Sequence, residues 1–161
     1  MTPIASATNP LLRLVVFVID EQRYALPLTA VDRVLPMAAV SPLPASPPIA
    51  LGAINVHGTI VPVLDIRRRL GFEPRAWGLS THVLLARTSR RPVALPVDEV
   101  RGVSEVPVRA VIAPATVLPG IGQVAGIVPL PDGLLLIQDL DAFLSLDEED
   151  QLAAALEGKG S

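Results

Sequence analysis

The stretches ALPLTAVDRV (Ala25–Val34) and ALPVDEVRGV (Ala94–Val103) match without a gap: Ala-Leu-Pro-apolar, two residues, Val, two residues, Val. A second block follows each of them. GAINVHGTIVPVLDI from Gly52 aligns with GIVPLPDGLLLIQDL from Gly126, with Gly52 as far from Asp65 as Gly126 is from Asp139. Two matched blocks in the same order make the chain an internal duplication, and that reading governs the rest.

The segments between these anchors are strand-like. LLRLVVFVI (Leu11–Ile19) is rich in β-branched residues, and the polar Asp20-Glu21-Gln22-Arg23 is a hairpin turn into RYALPL. GAINV, TIVPVLDI, THVLLAR, PVALPV, GIVPL and GLLLIQDL continue the pattern, punctuated by Pro, Gly, Ser and Asp. Each copy therefore predicts a small barrel. The expected fold is all-β: two pseudo-symmetric five-stranded SH3-like barrels packed together, the first mainly over 20–70 and the second mainly over 82–140, with the N-terminal strand and the ends shared, within a domain spanning 11–146. Pro27, Pro62 and Pro96 inside strand-like runs predict barrel rims or unpaired edges.

Helix is sparse. Asp65 caps a turn IRRRLG ending at Gly71, and Asp139 or Asp141 caps one around AFL. Ser145 and Glu148 have the spacing of a capping box, which starts a C-terminal helix over 146–157 whose Leu152 and Leu156 share a face that packs back on the barrels. Residues 1–10 and 158–161 read as tails.

Composition narrows the function. Half of the 161 residues are hydrophobic but only 3% are aromatic, so the core is aliphatic. A net charge of -3 provides no field for nucleic acid or an anionic membrane. The absence of cysteine removes thiol chemistry and disulfides and fits a reducing cytoplasm. The uncharged segments 35–64 and 110–131 are broken by proline, and no signal peptide is read at the N-terminus. No phosphate-cradling loop, dinucleotide fingerprint, nucleophile elbow or His-x-x-x-His pair occurs, so no catalytic residue, cofactor or metal is assigned. A competing reading makes the chain a small β-barrel metal-binding protein or enzyme using His57 and His82, with Asp65 as a third ligand. The expected place of His57 is instead the tip of a turn, since the second copy turns at Pro131-Asp132-Gly133 without a histidine. Asp98-Glu99, the run Arg67-Arg68-Arg69 and the group Arg87, Arg90 and Arg91 are read as solvated, Ser41–Pro48 as a rigid loop, and Trp77 as packed.

The duplicated pattern resembles the CheW family of chemotaxis coupling proteins from about Leu11 to Leu146. The residues that carry the likeness are FVIDEQRYALPLTAVDRV, SPLPASPP ahead of LGAINVHGTIVPVLDIRRRLG, RPVALPVDEVRGV and VAGIVPLPDGLLLIQDLDAFL. The resemblance implies a non-catalytic cytoplasmic adaptor, associated with membrane receptor arrays, that bridges a methyl-accepting chemoreceptor tip to the regulatory domain of a CheA-type histidine kinase. It implies a receptor groove between the barrels, with Leu28, Val31, Arg33, Val34 and His57 from the first copy and Val83 and Ala94 from the second. Relatives commonly carry Glu at the place of Arg33 and Arg at that of His57, which implies a divergent receptor or an alternative chemosensory system.

Overall fold

The computed structural model describes residues 10–160 apart from 38, 76, 77, 79 and 115–123, and only the backbone of 158–160. Trp77 and most of the N-terminal tail lie outside the described residues. Among the described residues ten strands follow one another: β1 (Leu11–Ile19), β2 (Gln22–Pro27), β3 (Val31–Pro36), β4 (Ala50–Val56), β5 (Thr59–Leu64), β6 (His82–Arg87), β7 (Pro92–Val97), β8 (Glu99–Pro107), β9 (Val124–Leu130) and β10 (Gly133–Gln138). Helix α1 (Ile66–Arg69) follows β5, and α2 (Leu146–Gly160) closes the chain, three residues beyond the expected end at 157.

The strands form two five-stranded sheets, the strand sets of two SH3-like barrels. Sheet I has the order β8-β1-β2-β10-β9 and sheet II the order β3-β6-β7-β5-β4. Position by position the two orders are the same once β1–β5 are equated with β6–β10, which is the duplication seen in the sequence. The equivalence reaches individual pairs: Ala25 lies beside Ile137 in the parallel β2–β10 ladder, and their repeat counterparts Ala94 and Val63 lie side by side in β7–β5.

The exchange of strands goes further than the shared N-terminal strand and ends expected from the sequence. Each barrel takes two strands from one repeat and three from the other, so sheet I combines residues 11–27 with 99–138, and sheet II is built wholly from 31–97. The exchange occurs within the opening motif itself. Ala25–Pro27 ends β2 in sheet I, a 3-10 turn at Leu28–Ala30 follows, and Val31 opens β3 in sheet II.

Strands at the junction are buried on both faces, so successive residues enter different cores. On β1, Leu14 and Val16 fill barrel I while Val15, Phe17 and Ile19 enter the core shared by the two barrels. On β6, Val83 and Leu85 fill barrel II while Leu84 and Ala86 enter the shared core. Helix α2 covers that shared core with Leu152 and Ala155, and its Leu156 packs against it. The capping box forms as expected: the Glu148 N–H donates to the Ser145 hydroxyl at 3.1 Å, and the Ser145 N–H donates to the Glu148 carboxylate at 2.9 Å. Asp65 accepts from the Arg68 N–H, and Asp139 accepts from the N–H groups of Asp141 and Ala142, so both predicted caps are present.

Two expectations need correction. Pro62 and Pro96 lie on β5 and β7, inner strands of sheet II rather than edges. Pro62 occupies the place of Leu136, whose pair with Tyr24 belongs to a three-pair ladder in sheet I; with proline there, β5 and β7 share only the pair Val63–Ala94. Nor are the arginines merely solvated. Arg67, 9% exposed, grips Asp20 through two bonds of 2.7 and 3.0 Å, donates to the Glu73 carbonyl and lies over the Phe72 ring. Asp98, between β7 and β8, accepts from the Asp20 N–H at 2.8 Å, and Arg75 bridges both carboxylates. This cluster ties the β1–β2 turn of barrel I to α1 of barrel II. The Arg67 guanidinium holds the Asp20 carboxyl below the usual range, against the opposing pull of burial. Arg69 of α1 pairs with Glu148, and Arg91, in the turn before β7, pairs with Glu149, fastening α2 to barrel II.

Candidate protein-binding cleft

The β4–β5 hairpin turns on His57 and Gly58, both with left-handed backbone (φ 50° and 89°), as a two-residue primed turn requires. The Asn55 side chain locks the turn by accepting from the Gly58 N–H at 2.7 Å. His57 is therefore a rim residue placed by turn geometry. In barrel I the equivalent loop is Pro131-Asp132 between β9 and β10, as the sequence comparison anticipated.

Facing His57 across the mouth of barrel II is the start of β3. Val31 is opposite Ala86 and Arg33 is opposite Leu85, so Asp32 is an extra residue in a β-bulge. Consecutive strand residues ordinarily point to opposite faces; the bulge brings Asp32 and Arg33 to the same cleft. This cleft, about 470 Å³, is lined by Asp32, Arg33, Val56, His57, Thr59, Val61, Leu85, Arg87 and Pro92. Its floor is apolar, because Val61 and Leu85 are also part of the barrel II core. Its rim is charged. Asp32 and Arg87 approach to 3.5 Å, while no carboxylate among the described residues pairs with Arg33.

The seven groove residues implied by resemblance separate into three sets. Arg33 and His57 share the cleft. Val34 and Val31 are in register with Leu84 and Ala86, on the face that looks toward the other barrel; Val31 packs on the shared core, whereas Val34 is 38% exposed and Leu28, on the preceding turn, 36%. Val83 and Ala94 are each 0% exposed inside barrel II and form no part of a surface in this structure. The run HVLLAR is buried on both faces, so alternation could not reveal which side Val83 takes. Asp32, Arg87 and Pro92 were missed. A signal existed for Arg87, which stands in the repeat where Val18 stands in the first copy.

The two histidines do not converge. His57 shares the cleft with Arg87 at the end of β6, whereas His82 begins that strand, and six residues of strand span roughly 17 Å. Among the described residues no three His, Cys, Asp or Glu side chains are grouped as metal ligands.

Two barrels share one core, and barrel II keeps an open cleft with an apolar floor and a charged rim. The CheW-like domain family model matches residues 13–148, and the chain belongs to that family of chemotaxis scaffold proteins. It is 23% identical over 145 residues to the chemotaxis protein CheW of Rhizobium meliloti (strain 1021), covering 89% of this chain and 94% of that protein. It is 26% identical over 111 residues to protein FrzA of Myxococcus xanthus, covering 69% of each. Among solved structures it is similar to the scaffolding protein TtCheW from Thermoanaerobacter tengcongensis, with a TM-score of 0.77 and 25% identity over 85% of this chain and 94% of that one. Among the described residues no helix is long and apolar enough to cross a membrane.

Proposed function

We propose that this chain is a non-catalytic coupling protein that holds the cytoplasmic tip of a chemoreceptor against the regulatory domain of a CheA-type histidine kinase, in cytoplasmic arrays beneath the membrane. Family membership supports the coupling role. The receptor-facing surface is the cleft of barrel II with the neighbouring Leu28 and Val34, and the observation that carries this placement is the bulge that directs Asp32 and Arg33 into a preformed cleft opposite His57. Receptor tips are helical hairpins, and an amphipathic helix laid over apolar side chains, with charged groups setting its register, suits such a surface. The kinase-facing surface is barrel I, whose edge strand β8 presents Val103, 56% exposed and the repeat counterpart of Val34.

The test is binding to a receptor tip and to a kinase regulatory domain from the same organism, measured separately by calorimetry. Val34→Asp should weaken receptor binding at least tenfold and leave kinase binding within twofold, and Val103→Asp should do the reverse. Loss of neither, or of both together in each variant, would refute the assignment of surfaces; failure of the unmodified protein to bind either partner would refute the coupling role.

A further inference from the structure

The duplication supplies an internal control for the cleft. Both barrels carry the β3-type bulge at the same repeat position: Asp32 is the extra residue in β3 and Arg101 the extra residue in β8, where Val16 is opposite Gly102 and Phe17 opposite Val100. The bulge is thus part of the frame, while the side chains it directs are not. Where barrel II has Arg33, barrel I has Gly102; where it has Arg87, barrel I has the buried Val18; where it has His57, barrel I has Pro131. Folding this topology requires no cation at any of the three places, as barrel I demonstrates.

We propose that barrel II selects a helix presenting a carboxylate side chain one turn from an apolar one. This rests on the reading that the cleft receives a receptor helix, and adds the chemistry that helix must carry. Two guanidiniums, Arg33 and Arg87, face one carboxylate, Asp32, in a chain whose net charge is -3. Asp32 is taken up by Arg87, which leaves the Arg33 fork available to a partner. Beneath it, Val61 and Leu85 accept an apolar side chain. On a helix, residues three or four apart share a face, so one glutamate and one leucine at that spacing engage rim and floor together. Arg offers a carboxylate two parallel bonds, and at an exposed rim such a contact acts mainly on partner choice and on the rate of encounter.

The experiment uses the full chain and two hydrocarbon-stapled helices of about 20 residues, identical except for a central Glu or Lys four residues from a Leu, with binding followed by fluorescence anisotropy. The Glu helix is expected to bind at least tenfold more tightly than its Lys twin, with the advantage shrinking as salt is added. Arg33→Ala should level the two, Arg33→Glu should invert their order, and Arg101→Glu, at the equivalent bulge of barrel I, should leave the preference intact. Equal affinities for the unmodified protein, or a preference unmoved by Arg33→Glu, would overturn the proposal while leaving receptor coupling untouched. Failure of both helices to bind a protein that still binds its receptor tip would overturn it as well, whereas loss of receptor-tip binding in the unmodified protein would count against the coupling role itself.

Discussion

At the scale of single residues, Gly52 shows how close approach dictates composition. Residues 41 and 53 exchange backbone hydrogen bonds of 2.9 and 2.8 Å, which brings the Ser41 carbonyl so near Gly52 that a Cβ would overlap it, and the glycine also has φ 150°. Its counterpart Gly126 lies beside the equivalent bridge between Ile112 and Ile127, but there a Cβ would meet the Val111 side chain. Gly52→Ala should therefore destabilise by about 2–4 kcal/mol and by more than Gly126→Ala, as read by urea unfolding. An equal or reversed order would refute the backbone-overlap argument. Asp20 makes a second prediction. Its carboxyl titrates below its unfolded value because Arg67 favours the charged form, so its contribution is present above about pH 4 and is lost as pH falls through the lower, folded value. Asp20→Asn should lower Tm near neutrality, and the gap to the unmodified protein should close in acid. A gap of constant size down to about pH 2 would show that the ion pair is not its source.

Among the elements, α2 has the clearest energetic role. Leu152 is fully buried over the shared core, so Leu152→Ala should cost about 2–5 kcal/mol, and Ser145→Ala, which removes the cap, about 1 kcal/mol. Thermal unfolding of the two variants should rank them in that order, and near-equal losses would mean that α2 is held by its ends rather than by its face. Local signals made most elements legible. The capping box, the caps at Asp65 and Asp139 and the His57-Gly58 turn are encoded within a few residues and are present, and the turn expected over Asp20–Arg23 is made by Asp20-Glu21 alone, with Gln22 and Arg23 already in β2. The cleft was less legible. Arg33 and His57 were singled out, yet their convergence depends on a bulge, which is a property of pairing register that composition does not carry. The role of Arg67 was hidden for a related reason: its partner Asp20 lies in a turn of the other barrel.

For the whole molecule, the repeat revealed which strands are equivalent but not which copy supplies each one to a given sheet. Pairing is non-local, and β2 finds β10 at the far end of the chain. The exchange predicts that fragments covering the two repeats separately, 10–74 and 80–160, will each be largely unfolded by circular dichroism, and that mixing them will restore β structure. Independent folding of either fragment would show that the shared strands are dispensable.

The exchange of strands also bears on ancestry. A half-length chain carrying one repeat could complete such sheets only by trading strand pairs with a second copy, in an assembly dependent on concentration and bound by two-fold symmetry. Joined in one chain, the halves meet at an effective concentration fixed by the link between them. Symmetry then ceases to bind the surface: Arg33 can be gained in one barrel while Gly102 stays in the other. A homodimer must present every side chain twice, whereas a fused pair can address two different partners.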